Sequence, residues 1–285
     1  MSPERVGAGG AVPSSRWPSP PRTASASRPR RRHDSGRPAA VNPALGAADE
    51  HAASYVRSEP VPVPRPVPAG AASERTSRIA DEFFFMCHDD RTGRPRLFDS
   101  ALAHGLAAGL LVELYYGGRI TFERGHVRVK DIRPPQDWLQ HLVLDRIAAE
   151  QQHTATRVWL AFLGSSAYEQ VAQRMWQSGL VRPQQAGPFW RQRTLYVPTD
   201  INTAAWSWAR LSQHLRNGRS LNGVDLALAG LALHTQLDTT LLDGASLAVR
   251  SHLRRLVEQS WPPLRDLLAD LGSVVGGAVL SHRTS

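Results

Sequence analysis

Ala103-His104-Gly105-Leu106-Ala107-Ala108-Gly109-Leu110-Leu111-Val112-Glu113-Leu114-Tyr115-Tyr116-Gly117-Gly118-Arg119-Ile120 is the stretch that decides the fold. Leu102, Leu106, Gly109, Leu110, Leu111 and Leu114 recur at spacings of three and four, which draws an apolar stripe along a helix starting near Asp99. Gly117-Gly118 ends it. Beyond lie two short alternating runs, Ile120–Glu123 and His126–Val129, joined by Arg124-Gly125, which reads as a β-hairpin.

Working outward, the segment before this helix is Ser77-Arg78-Ile79-Ala80-Asp81-Glu82-Phe83-Phe84-Phe85-Met86-Cys87. Ser77 is a plausible N-cap, Asp81 and Glu82 suit a first turn, and five apolar residues in succession demand burial on most sides. The polar turn His88–Gly93 stops it. After Pro134-Pro135 the pattern is helical through Trp138–Ile147, Arg157–Phe162 and Val171–Leu180. A second hairpin, Leu180-Val181 against Thr194–Val197, turns around Gly187-Pro188. Helical spacing then returns at Trp206–Leu215, Val224–Leu237, Ala245–Glu258 and from Leu264 onward. The expected fold is mainly α: a single compact helical domain over 77–285, with about eight helices and two short β-hairpins.

Residues 1–76 read differently. They are rich in Pro, Ala, Ser, Gly and Arg, including Arg28-Pro29-Arg30-Arg31-Arg32, and cannot bury enough apolar area to offset the entropy of ordering. A disordered tail is expected. Pro60-Val61-Pro62-Val63-Pro64-Arg65-Pro66 favours extended polyproline geometry, a stiff spacer or a ligand for a proline-reading domain.

The formal net charge is +9, and Lys130 is the only lysine, so the positive charge is nearly all arginine. Anionic lipid and nucleic acid both suit such a chain. One cysteine, Cys87, excludes an intramolecular disulfide and fits a reducing compartment. No apolar signal region stands at the N-terminus, and Val274–Leu280 is too short to span a bilayer. A cytoplasmic protein is expected.

The residue patterns for chemistry are thin. Cys87-His88-Asp89-Asp90 places four metal-ligand types in a row, but consecutive residues diverge, and a polar helix end explains them better. His234 and Asp238 suit a local hydrogen bond. Glu113 interrupts an apolar stripe and needs an internal partner such as Arg119 or a hairpin amide. There is no Gly-x-Ser-x-Gly, no His-Glu-x-x-His and no phosphate loop, since Gly272–Gly277 lacks the lysine. No enzyme activity, cofactor or metal is expected. A helix followed by a hairpin carrying Arg119, Arg124, Arg128 and Lys130 also resembles a winged helix, though Leu102–Leu114 offers no arginine to read a groove.

The stretches Ser77–Gly93 and Ala103–Ile120, with the element order that follows, resemble the Golgi phosphoprotein 3 family across 77–285. The arginine bias suits its actinobacterial branch. The resemblance implies a non-catalytic peripheral membrane protein that binds phosphatidylinositol 4-phosphate or, in a bacterium, another anionic lipid. It implies a location on the inner face of the cell membrane, and an apolar hairpin that inserts into lipid or supports self-association. The family's pocket tryptophan falls at Phe98, its helix arginine at Ala107, and its arginine pair near Ser165 and Tyr168. Arg94, Arg96 and Arg174, with Arg91 nearby, are the arginines left to hold a headgroup beside Phe98. Phe189 and Trp190, flanked by Arg182, Arg191 and Arg193, are the candidate membrane wedge, the alternative being that they pack inward on the helices. The alternative is a soluble protein-interaction module that has lost the lipid site.

Overall fold

The structure, a computed structural model, describes residues 78–283. The expected tail and the Ser77 cap lie outside the described residues. Among the described residues ten α-helices and two antiparallel hairpins follow one another: α1 (Ile79–Cys87), α2 (Asp99–Tyr116), β1 (Ile120–Glu123), β2 (His126–Val129), α3 (Trp138–Ala149), α4 (Thr156–Gly164), α5 (Ala167–Gln177), β3 (Val181–Ala186), β4 (Arg193–Pro198), α6 (Ile201–Arg216), α7 (Gly223–His234), α8 (Asp238–Leu241), α9 (Leu247–Glu258) and α10 (Pro262–Arg283).

Helix α2 is the axle. From Gly105 to Leu114 every residue is buried, and α1, α4, α5 and α10 pack around it. A helix apolar on all sides is stable only when neighbours cover all of it. Two glycines permit the closest approach: a Cβ on Gly105 would collide with the Phe83 ring, and one on Gly109 would lie 3.0 Å from the Cα of Ala80. The Phe83–Cys87 run is buried throughout, as five consecutive apolar residues require. This burial also removes the winged-helix reading, because no face of α2 between Gly105 and Leu114 is free to enter a groove.

Each hairpin has its own turn chemistry. In the first, Glu123 pairs with His126 across Arg124 and Gly125, both at positive φ (53° and 78°), the conformation that matches strand twist in a two-residue loop. In the second, Val181 pairs with Pro198 and Ala186 with Arg193, and the connection carries a 3-10 turn over Phe189–Arg191.

Two local expectations need correction. Val224–Leu237 is not one helix, because Gln236 adopts φ 66° and separates α7 from the single turn of α8. His234 and Asp238 therefore sit on different helices. His234 instead lies where α10 passes closely, its Nδ1 2.5 Å from where a Cβ on Gly272 would be. Glu113 does find an internal partner, but not Arg119, which pairs with Asp131.

Candidate functional site: an exposed hairpin tip above a saturated arginine hub

The β3–β4 hairpin is buried at its base, where Val181, Leu195 and Val197 join the core, and exposed along its outer half. Arg182 opposes Val197 and Arg193 opposes Ala186; opposed residues point to the same side and residues two apart on a strand share it, so Arg182 and Arg193 lie on the side that at the base carries Leu195 and Val197. At the tip Phe189 is 90% exposed and Trp190 85% exposed. Both aromatics are held out by a 3-10 turn whose third residue is Arg191. Burying such side chains would each gain about 1.5–3 kcal/mol, so two of them in water mark a contact surface.

A second segment lies beside the hairpin. Asp89 Oδ1 accepts from the backbone amides of Arg91 (3.1 Å) and Thr92 (2.8 Å), shaping the loop that runs from His88 to Phe98. Gly93, at φ 65°, presses this loop on β4, since a Cβ there would come 2.6 Å from the carbonyl oxygen of Tyr196. Phe98, the residue before α2, is 76% exposed. Its neighbour Asp99 accepts a hydrogen bond of 3.1 Å from Arg193 Nη2, which ties the start of α2 to the hairpin. Phe98 and Arg193 thereby belong to one surface region.

The loop arginines are unequal. Arg94 is exposed and has no ion-pair partner among the described residues. Arg96 lies 3.8 Å from Asp89 and 3.7 Å from Asp90, with its guanidinium 4.6 Å over the Trp208 ring. It is a charge already answered by two acids and an aromatic face.

Arg174 is a correction. It does not share the face of Arg94 and Arg96 as a headgroup ligand would, being only 1% exposed. All five of its N–H donors are used: Nε and Nη2 donate to Asp81 Oδ1 (2.9 and 2.6 Å), Nη1 and Nη2 to the two oxygens of Glu113 (2.9 and 3.0 Å), and Nη1 to Asp137 Oδ1 (3.1 Å). A guanidinium has no sixth donor, so none remains for a phosphate. Glu113 is completed by the amide of Ala80 (2.8 Å) and by Gln140 Nε2 (3.0 Å). Asp137 also caps α3 through the amides of Leu139 and Gln140. The cluster thus pins α1, α2, α3 and α5 to one another.

Its electrostatics follow from two buried acids facing one buried base. Burial works against the Arg174 charge, but Glu113 and Asp81 outweigh it and raise its pKa. Asp81 is pushed up to about 7, chiefly by burial, with Arg174 opposing and Glu113 adding to the rise. Its Oδ2 is buried and makes no hydrogen bond, and an unsolvated oxygen of this kind disfavours the charged form.

The positions that the resemblance assigned to the family pocket are placed as follows. Ala107 is fully buried in α2, Ser165 is exposed at the end of α4, and Tyr168 is half-buried near the hairpin, its ring 6.1 Å from Tyr196. His88, not singled out as a site residue, stacks on Phe84 at 4.0 Å and lies 5.8 Å from Tyr168. Its Nδ1 donates to the Phe84 carbonyl (2.7 Å), so its buried Nε2 is left without a partner. Burial lowers its pKa to about 4, with Arg96 and Arg193 pushing the same way and the Phe84 bond opposing. The sequence carries no signal for the Asp99–Arg193 contact, because 94 residues separate the two.

Among the described residues no group of His, Cys, Asp or Glu converges as a metal site would, and no helix is long and apolar enough to cross a membrane. Among curated proteins no match is found. The family model described as Golgi phosphoprotein 3 (GPP34) matches residues 79–271, from the first turn of α1 into α10. That match takes in every element of the hairpin surface and of the arginine hub, and the chain belongs to the Golgi phosphoprotein 3 family.

Proposed function

We propose that this protein is a non-catalytic, cytoplasmic peripheral membrane protein that docks on the inner face of an anionic bilayer, with Phe189 and Trp190 as the wedge. The exposure of these two aromatics at the tip of a hairpin whose flank carries Arg182 and Arg193 is the observation that carries the reading. Aromatic rings suit the zone between headgroups and acyl chains, while each arginine near an anionic surface adds about 1 kcal/mol. Arg94 and Phe98, on the segment tied to the hairpin through Asp99, extend the same surface and would hold a phosphate by charge and stacking. Arg96 contributes charge but keeps its own acids. Family membership favours phosphatidylinositol 4-phosphate as the headgroup, yet the resemblance puts the family's arginine positions at Ala107 and near Ser165 and Tyr168, and general recognition of anionic phospholipid fits these residues better.

Cosedimentation with vesicles of rising anionic content tests this. Binding should grow with anionic lipid, fall with salt, and drop in Trp190→Ala. Absence of binding at every composition would leave the second reading, a protein-interaction module or self-associating hairpin that has lost the lipid site. That reading draws on Ala107 and the inward Arg174.

A further inference from the structure

A second exposed apolar surface lies away from the hairpin, on the outer stripe of α3 and the facing side of α4. Trp138 and Leu142 are one turn apart on α3, Val158 and Phe162 one turn apart on α4, and all four are between 39% and 48% exposed. Arg146, one turn beyond Leu142, places its guanidinium 5.6 Å from the Phe162 ring centre, so the two stripes meet there. At the Arg146 end, beyond Trp138 and Leu142, opens a cleft of about 300 Å³ lined by Arg146, Glu150, His153, Val158, Trp159 and Phe162. Trp159 lines it from within the fold, almost wholly buried, with Phe162 edge-on to its ring and its indole N–H already committed to the His153 carbonyl at 2.7 Å. This is an aromatic, mostly apolar groove of the kind that takes extended, proline-rich peptide.

We propose that the α3–α4 groove is the docking site of this chain's own Pro60–Pro68 segment. The path of the chain supports this occupant. The first described residue, Arg78, lies with Nη2 3.5 Å from Asp137, the residue immediately before Trp138, so the chain enters the fold at the head of the α3 stripe. Only the nine residues Ala69–Ser77, rich in Ala, Gly and Ser, separate Arg78 from Pro68. An ideal coil of nine residues has a root-mean-square span of about 15–18 Å. The Trp138–Arg146 stripe is about 12 Å long, and nine residues in polyproline form extend about 28 Å.

The chemistry agrees with the path. Val61, Val63 and Val67 alternate with prolines and offer an apolar rod with little conformational entropy left to lose. Arg65 is the one charge within it, and of the two charged residues that line the cleft, Arg146 and Glu150, the acid is the one it can pair with. A short tether supplies the segment at an effective concentration in the millimolar range, so weak contacts suffice.

Disulfide trapping in the full chain tests it. The one native cysteine, Cys87, is fully buried with its thiol pKa pushed up by burial, and will not compete. Val63→Cys with Leu142→Cys should form an intrachain disulfide at least tenfold faster than Val63→Cys with Leu247→Cys, whose second site is an exposed position on α9. Equal rates for the two pairs overturn the proposal. A disulfide-linked dimer as the main product overturns it in favour of a second copy as occupant. As an independent readout, Val61→Asp with Val63→Asp and Val67→Asp should speed hydrogen exchange in α3 and α4 several-fold, and unchanged exchange counts against docking.

Discussion

Arg174 and Arg193 are the same side chain in opposite circumstances. Arg174 sits among Asp81, Glu113 and Asp137 with every donor spent, whereas Arg193 stands at the exposed start of β4 with one surface carboxylate, Asp99, for company. The first cannot bind anything further, and its charge works on the protein itself. The second can exchange its partner for an anion at small cost, because an exposed ion pair contributes about 0–1 kcal/mol. An arginine's usefulness for recognition is therefore set by how many of its donors the fold has already taken.

The largest expected effect follows from removing one side of the hub. Arg174→Ala leaves Asp81 and Glu113 facing each other in the core and should cost about 3–5 kcal/mol in urea denaturation, if the variant folds at all. Equal stability of Arg174→Ala and Arg193→Ala would erase the contrast.

Next comes pH. Below 6.5 an unfolded histidine takes a proton that His88 refuses until about pH 4, so this group's stabilisation is complete above 6.5 and lost as pH falls toward 4. The loss amounts to about 3 kcal/mol. Asp81 has the opposite sign. Its carboxyl holds a proton up to about pH 7 in the fold, so its contribution is complete below 3.8 and is lost as pH rises toward 7. Urea midpoints measured from pH 4 to 7.5 should show a flattened acid limb in His88→Gln and a flattened alkaline limb in Asp81→Asn.

At the surface, Trp190→Ala should lower vesicle partitioning roughly tenfold, the equivalent of losing much of a side chain's burial of about 1.5–3 kcal/mol, with the melting temperature unchanged. The smallest effect belongs to Arg193→Ala. Its stability should change by less than about 1 kcal/mol, and its vesicle binding should weaken at low salt with the difference fading as salt screens the surface.

Local pattern reached far into this fold. The α2 stripe, the burial of Phe83–Cys87, the Arg124-Gly125 turn and both hairpins follow from periodicity and turn chemistry, which act between residues a few positions apart. The split between α7 and α8 escaped because Gln236, an ordinary residue, adopts a left-handed conformation that composition does not announce. Glu113 was legible as a buried charge in need of a partner. Its partner was not, because Arg174 lies 61 residues away, on a helix whose facing direction only packing sets.

The sequence by itself therefore determined the helical architecture and the family, since i to i+4 spacing, strand alternation and glycine turns are properties of short stretches. Tertiary structure alone decided which arginines are spent and which are free. Four separate elements must converge before Arg174 loses its last donor, and a hairpin must project before Phe189 and Trp190 meet water. No local spacing encodes that convergence.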